Sequence, residues 1–132
     1  ETTDDYEKLK PSNIEFGLPQ PSYTINTLVH LAEKHPEHDF NLIMGLANLH
    51  TFPRWKNSEV ILRDYEIYVY PRVSEKKDLP ELLNHEKVHL IDAPIVEISS
   101  TFIRKAVRDQ KDIRALMPFK AWKYMDEMNF YK

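Results

Sequence analysis

The chain has 132 residues, enough for one domain with one buried core. Lysine and arginine number 18 against 21 acids, a formal charge of −3, which excludes the dense basic face that general nucleic-acid binding needs. Cysteine is absent, so disulfides and thiolate metal sites are excluded as well. No signal-like segment or long apolar run occurs, and the expected setting is the cytoplasm, away from membranes. Glycine occurs only at Gly17 and Gly45. A glycine-rich phosphate loop cannot be built from two isolated glycines, so phosphate recognition must use hydroxyl caps and basic side chains.

In chain order, residues 1–13 are polar without an apolar period and read as a loop or frayed end. Ile14-Glu15-Phe16 is a short strand candidate closed by Gly17, and the proline-rich run from Leu18 to Ser22 is a connection. A helix then begins at Ser22 to Thr24, with Ile25, Leu28, Val29, Leu31 and Ala32 as its apolar side. It stops before His35-Pro36, because a residue preceding proline is pushed out of helical geometry. Phe40 to Met44 is a strand of the buried parallel kind with Gly45 at its carboxyl end. Ligands of open α/β sheets bind beyond such ends, so Leu46 to Lys56 is a candidate binding loop.

Asn57 to Arg63 predicts a helix, Glu66 to Tyr70 a second strand, and Ser74 to Lys87 a charged excursion holding a short helix at Leu79, Leu82 and Leu83. Val88 to Ile91 is a third strand, leading through Pro94 into the extended run Ile95-Val96-Glu97-Ile98. Phe119 to Asn129 carries Trp122, Met125 and Met128 at helical spacing. Strands alternating with helices predict a single α/β domain over 1–132, built on a parallel sheet with right-handed crossovers.

The most informative stretch is Ile98-Ser99-Ser100-Thr101-Phe102-Ile103-Arg104. Ser99 and Ser100 are N-cap residues, and the pair Phe102/Ile103 recurs as Ala106/Val107, one face of a helix. A helix start offers unpaired N–H groups and partial positive charge, a natural seat for phosphate. Arg104 and Lys105 oppose the helix dipole by about 0.3–1 kcal/mol each, a mismatch that an anion between serines and guanidinium relieves. The alternative is an ordinary capped helix with its basic residues in solvent.

Ile-Ser-Ser-Thr-x-Ile-Arg resembles the C-terminal signature of the nucleotidyltransferase superfamily. Pro21 to Leu28, Leu42-Ile43-Met44-Gly45, Phe52 to Lys56 and the ending Asn129-Phe130-Tyr131-Lys132 follow in the order of bacterial nicotinate mononucleotide adenylyltransferases. The resemblance implies a Rossmann-like nucleotidyltransferase fold, incomplete at its N-terminal βα unit. The superfamily's other signature, a glycine-containing turn followed by His-x-Gly-His, does not occur in residues 1–132.

The resemblance also implies roles. Ile98, Ser99, Ser100, Thr101, Arg104 and Gly45 would bind ATP, with Ser100 and Arg104 acting in catalysis. Tyr23, Thr24, Trp55 and Asn48 would hold nicotinate mononucleotide, Trp55 stacking on the cationic pyridine ring and Thr24 meeting its carboxylate. A magnesium ion would be carried by the substrate phosphates and water.

Two positions depart from the family pattern. Asn26 stands where aspartate is common, and Ala47 occupies the aspartate place of Gly-x-Asp-x-Leu. Either Asn48 substitutes for that carboxylate or activity is impaired. No protein metal site is expected: His30, His35 and His38 read as a hydrated surface cluster.

The implied reaction is adenylyl transfer from ATP to nicotinate mononucleotide, giving deamido-NAD and pyrophosphate. Nicotinamide mononucleotide as acceptor and a nucleotide-binding fragment without turnover are the alternatives. This sequence alone is expected to be weak or inactive as a catalyst, because it lacks the histidines of the other signature. It is also expected to expose an apolar strand edge that favours pairing with a second copy.

Overall fold

Short, mostly apolar runs pair as parallel strands in the computed structural model, which describes residues 7–71 and 79–132. Residues 1–6 of the expected N-terminal loop and 72–78 of the expected charged excursion lie outside the described residues. Contacts divide the chain into a sheet unit, Ser12–Val96, and a helical unit that includes Glu97–Lys132.

In the sheet unit, β1 (Leu42–Gly45), β2 (Ile67–Tyr70) and β3 (Val88–Leu90) lie side by side in that order, all parallel. The register sets Leu42, Ile67 and Val88 abreast, then Met44, Val69 and Leu90. Side chains alternate across a strand, so these rows share a face. Against it pack Ile25 and Leu28 of α1 (Thr24–Lys34), Leu46 and Leu49 of α2 (Leu46–Thr51), Phe52, and Ile61 of α3 (Ser58–Asp64). Leu49, Phe52, Ile61, Ile67 and Val69 are fully buried. Each contributes about 1.5–3 kcal/mol relative to exposure.

The intervening row is Ile43, Tyr68 and His89, and Ile43 is 72% exposed. This corrects the expectation that the first strand is of the doubly buried kind, because the helices α1, α2 and α3 all contribute to the core on the other face. α1 stops as expected: His35, ahead of Pro36, leaves helical geometry at φ −131° and ψ 68°. Val29 of its expected apolar side is 40% exposed.

Further expectations are corrected. Ile14–Gly17 is a 3₁₀ turn rather than a strand, closed by i→i+3 bonds from Phe16 to Asn13 and from Leu18 to Glu15. Leu46 to Lys56 is helical for most of its length, as α2 and a 3₁₀ turn at Phe52–Arg54. Leu46, Leu49 and Phe52 recur at three-residue spacing and all turn inward, which a loop would not allow. The run Ile95 to Ile98 pairs with no strand among the described residues, and its three large apolar side chains are 41–59% exposed. The expected short helix after Leu79 is a 3₁₀ turn, Glu81–Asn84.

The helical unit holds α4 (Ser100–Arg108) and α5 (Phe119–Glu127). Both close in the same way. Lys111 N–H bonds to Ala106 and Gln110 N–H to Val107 after α4; Phe130 N–H bonds to Met125 and Asn129 N–H to Asp126 after α5. These are Schellman motifs, with Gln110 (φ 55°) and Asn129 (φ 54°) in the left-handed position. No helix among the described residues is long and apolar enough to cross a membrane.

Candidate functional site

The proline-rich connection delivers the chain to the start of α1 in extended geometry, with Tyr23 at φ −106° and ψ 142° as the N-cap. Tyr23 makes no side-chain cap bond, so the leading amides of α1 are left for an acceptor from outside the helix. Beside this start runs the segment after α2, and together they line a cleft of about 320 Å³ formed by Ser22, Tyr23, Thr24, Arg54, Trp55 and Lys56.

Trp55 has two roles in this cleft. Its ring leans on Phe52 at a centroid distance of 5.4 Å, and its indole N–H donates to the Thr51 hydroxyl at 3.4 Å. One side therefore packs on the core while the ring still lines the cleft. The Lys56 ammonium lies 4.6 Å from the centre of the Tyr23 ring, a cation–π contact that holds a positive charge at the cleft wall. Arg54 adds a second cation, and no carboxylate among the described residues lines the cleft. The result is an aromatic, cationic recess at a helix N-terminus, suited to a flat anionic ligand.

In the helical unit, Ser99 caps α4 by accepting the Phe102 N–H at 3.1 Å. Its carbonyl accepts the Ile103 N–H at 3.0 Å. By helix geometry the amides of Ser100 and Thr101 have no intrahelical partner. Arg104 is half-buried rather than out in solvent. Its guanidinium donates to the Thr101 hydroxyl at 3.3 Å and lies 5.9 Å from the centre of the Tyr131 ring. These contacts aim the arginine back toward the start of its own helix. Ser100 and Thr101 are exposed beside it, and Ile98 precedes them at 41% exposure.

Of the expected residues, Tyr23, Thr24 and Trp55 come together in one cleft, and Ser99, Ser100, Thr101 and Arg104 at one helix start. Asn48 is not in the cleft lining; it lies on the exposed side of α2, its carbonyl accepting the Thr51 hydroxyl at 3.1 Å. Ala47 is half-buried in the first turn of α2. Gly45 ends β1 in geometry open to any residue, φ −75° and ψ 155°, and a Cβ built there meets no atom within 4 Å.

Sequence reasoning did not assign site roles to Arg54, Lys56 or Tyr131. The two cations flank Trp55 directly, which was the available signal; Tyr131 lies in the family-like ending, but nothing local linked it to Arg104. A second groove, of about 300 Å³, has Val107, Ile113, Trp122 and Met125 in its wall, and none of the expected site residues lines it.

Comparison with known proteins adds identity to this geometry. No family model matches the chain. A probable nicotinate-nucleotide adenylyltransferase of Flavobacterium johnsoniae is 59% identical over 130 residues, covering 98% of this chain and 67% of that protein. Proteins of the same name from Flavobacterium psychrophilum and Christiangramia forsetii are 56% and 60% identical, with 67% and 66% of their lengths covered. The chain thus spans about two thirds of the length of these relatives. A solved structure of Plasmodium falciparum nicotinic acid mononucleotide adenylyltransferase complexed with APC superposes with a TM-score of 0.66 at 23% identity. The match covers 83% of this chain and 58% of that one.

The three parallel strands and their helices are therefore those of a Rossmann-like nucleotidyltransferase with a partial sheet. Within that class, the chain belongs to the nicotinate-nucleotide adenylyltransferase family.

Proposed function

We infer that this chain carries the pyridine-nucleotide grip and the ATP-phosphate grip of a nicotinate-nucleotide adenylyltransferase. In the reaction, a phosphate oxygen of nicotinate mononucleotide attacks the α-phosphorus of ATP. A new P–O bond forms, the bond to the β-phosphate oxygen breaks, and pyrophosphate leaves with the electron pair, giving deamido-NAD. Such a displacement needs positioning and charge neutralisation more than a protein nucleophile.

The observation that carries this reading is the recess of Tyr23, Thr24 and Trp55 beside Arg54 and Lys56. A pyridinium ring stacks on Trp55, and its carboxylate meets the Thr24 hydroxyl and the leading amides of α1. An amide in place of that carboxylate loses the charge-assisted contact, so nicotinate is preferred over nicotinamide. Ser99, Ser100, Thr101 and Arg104 take the ATP phosphates, Arg104 with bidentate geometry, and Ile98 lies against the base. Gly45, without a side chain, leaves the end of β1 open to a ligand. A magnesium ion would be carried by the substrate phosphates and water, where it would neutralise phosphate charge; no step here depends on it.

Ala47 favours a second reading, binding without turnover, since alanine cannot accept a ribose hydroxyl. Calorimetric titration of the chain with nicotinate mononucleotide, nicotinamide mononucleotide and ATP tests the binding assignments. Preference for the carboxylate ligand, reduced in Thr24→Val, supports the first grip, and Trp55→Ala should weaken both mononucleotides alike. Equal affinity for acid and amide would remove the carboxylate assignment. Pyrophosphate release then separates turnover from binding.

A further inference from the structure

We propose that the turn following α1 is a surface site for a borderline divalent transition metal, with His35, Glu37 and His38 as its three protein ligands. Their donor atoms all lie within 4.8 Å of one another. The shared Glu37 Oε1 is 3.6 Å from His35 Nδ1 and 3.4 Å from His38 Nε2. Two ligands bound at the usual Zn–N and Zn–O distances in a tetrahedral shell are about 3.3–3.5 Å apart, so these two edges need almost no adjustment. The third edge, between half-buried His35 and exposed His38, is at most 4.8 Å and closes by rotation of the imidazole rings.

The scaffold explains why the donors converge. His35 is the C-cap of α1, its N–H bonded to Leu31, and Pro36 bends the chain away. The His38 N–H bonds back to the His35 carbonyl at 3.1 Å, closing a four-residue turn with proline at its second position. That closure brings the first and last residues of the turn together, and the imidazole centroids are 5.6 Å apart. Phe40 packs on the core and sets its ring against both imidazoles, at 6.4 Å and 6.2 Å, limiting their swing. From sequence, the histidines had looked like an ungathered surface cluster; the residue that gathers them is Glu37.

Two imidazoles and one carboxylate suit zinc, nickel or copper(II), whereas magnesium and calcium ask for oxygen ligands throughout. Three protein donors leave at least one position open to water or to a donor from another molecule.

The test uses the 132-residue chain without a histidine tag, titrated calorimetrically with zinc chloride and with nickel chloride in a non-chelating buffer. The expected result is one ion per chain, with affinity falling at least roughly tenfold in His35→Ala and in His38→Ala, since loss of even an outer partner costs a site that much. Glu37→Gln should weaken binding, while His30→Ala and His85→Ala should leave it unchanged. Nickel should broaden amide resonances centred on residues 35–40. Circular dichroism of each variant establishes that the fold persists. No saturable uptake at millimolar ion overturns the proposal. So does uptake that survives the His35→Ala/His38→Ala double substitution, or broadening centred elsewhere.

Discussion

The Trp55 indole donates to the Thr51 hydroxyl at 3.4 Å, which ties a cleft-lining ring to the end of the helix that fills the core. A ring held this way loses little freedom when a ligand stacks on it. Trp55→Ala should therefore weaken nicotinate mononucleotide binding about tenfold, roughly 1.4 kcal/mol, close to the upper end of what one aromatic stack contributes. Thr51→Val keeps the ring and removes its tether, so a smaller loss is expected. Calorimetry measures both, and unchanged affinity in Trp55→Ala would mean that the tryptophan serves packing alone.

At the start of α4, Arg104 opposes the helix dipole, and on the proposed reading a bound anion relieves that cost. Arg104→Ala gives up the Thr101 hydrogen bond and the Tyr131 contact of a half-buried side chain, so it should cost the unliganded chain about 0.5–1.5 kcal/mol in urea denaturation. It should also weaken ATP binding by at least tenfold, given about 1.5–3 kcal/mol for hydrogen bonds to charged groups. Arg104→Lys should recover only part, because an ammonium cannot make the bidentate contact. An undiminished ATP-induced rise in melting temperature in Arg104→Ala would remove this arginine from the phosphate grip.

Asp112 accepts from the Arg114 side chain at 2.9 Å and 2.5 Å and from its backbone amide at 3.0 Å. These bonds, the side-chain ones foremost, lower its carboxyl to about 2. The ionised form is the one stabilised, so the contribution is complete above the ordinary carboxylate range near about 3.9 and is lost as the pH falls through about 2. Carboxyl-carbon NMR titration should find the low midpoint, and Arg114→Gln should raise it only part of the way, because the backbone amide still donates. A midpoint unmoved by Arg114→Gln would rule out the guanidinium as its main cause.

Gln110 and Asn129 occupy equivalent left-handed positions after α4 and α5. Asparagine tolerates that geometry better than glutamine does. Gln110→Gly should stabilise the chain by about 1 kcal/mol, and Asn129→Gly by less. Urea denaturation of the two variants measures both gains; a loss at position 110 would show that the glutamine side chain makes a contribution larger than its backbone strain.

Periodicity was enough to find α1, the three strands, and the capped start of α4, because each has a local signal: a proline stop, a short apolar run, or a serine cap. The failures share a different cause. Ile14 to Phe16 and Ile95 to Ile98 have strand composition, but a strand exists only with a partner, and partners are not encoded locally. The segment after Gly45 reads as a loop from its place beyond the carboxyl end of a strand, where ligands of open sheets bind, yet Leu46, Leu49 and Phe52 have helical spacing and fold it as α2 and a 3₁₀ turn. For the candidate site, Trp55 and Arg104 could be singled out from residue type and family order. The Tyr23–Lys56 and Arg104–Tyr131 pairings were not, since each joins segments far apart in the chain.

Ile43 and Met44 are neighbours in β1, yet one is 72% exposed and the other 5%. In this chain they answer to opposite rules. A lysine at position 43 would be tolerated and would improve solubility, whereas the same residue one step later would drive a charge into the core and unfold the sheet unit. A deep mutational scan would find a permissive site and an intolerant one side by side.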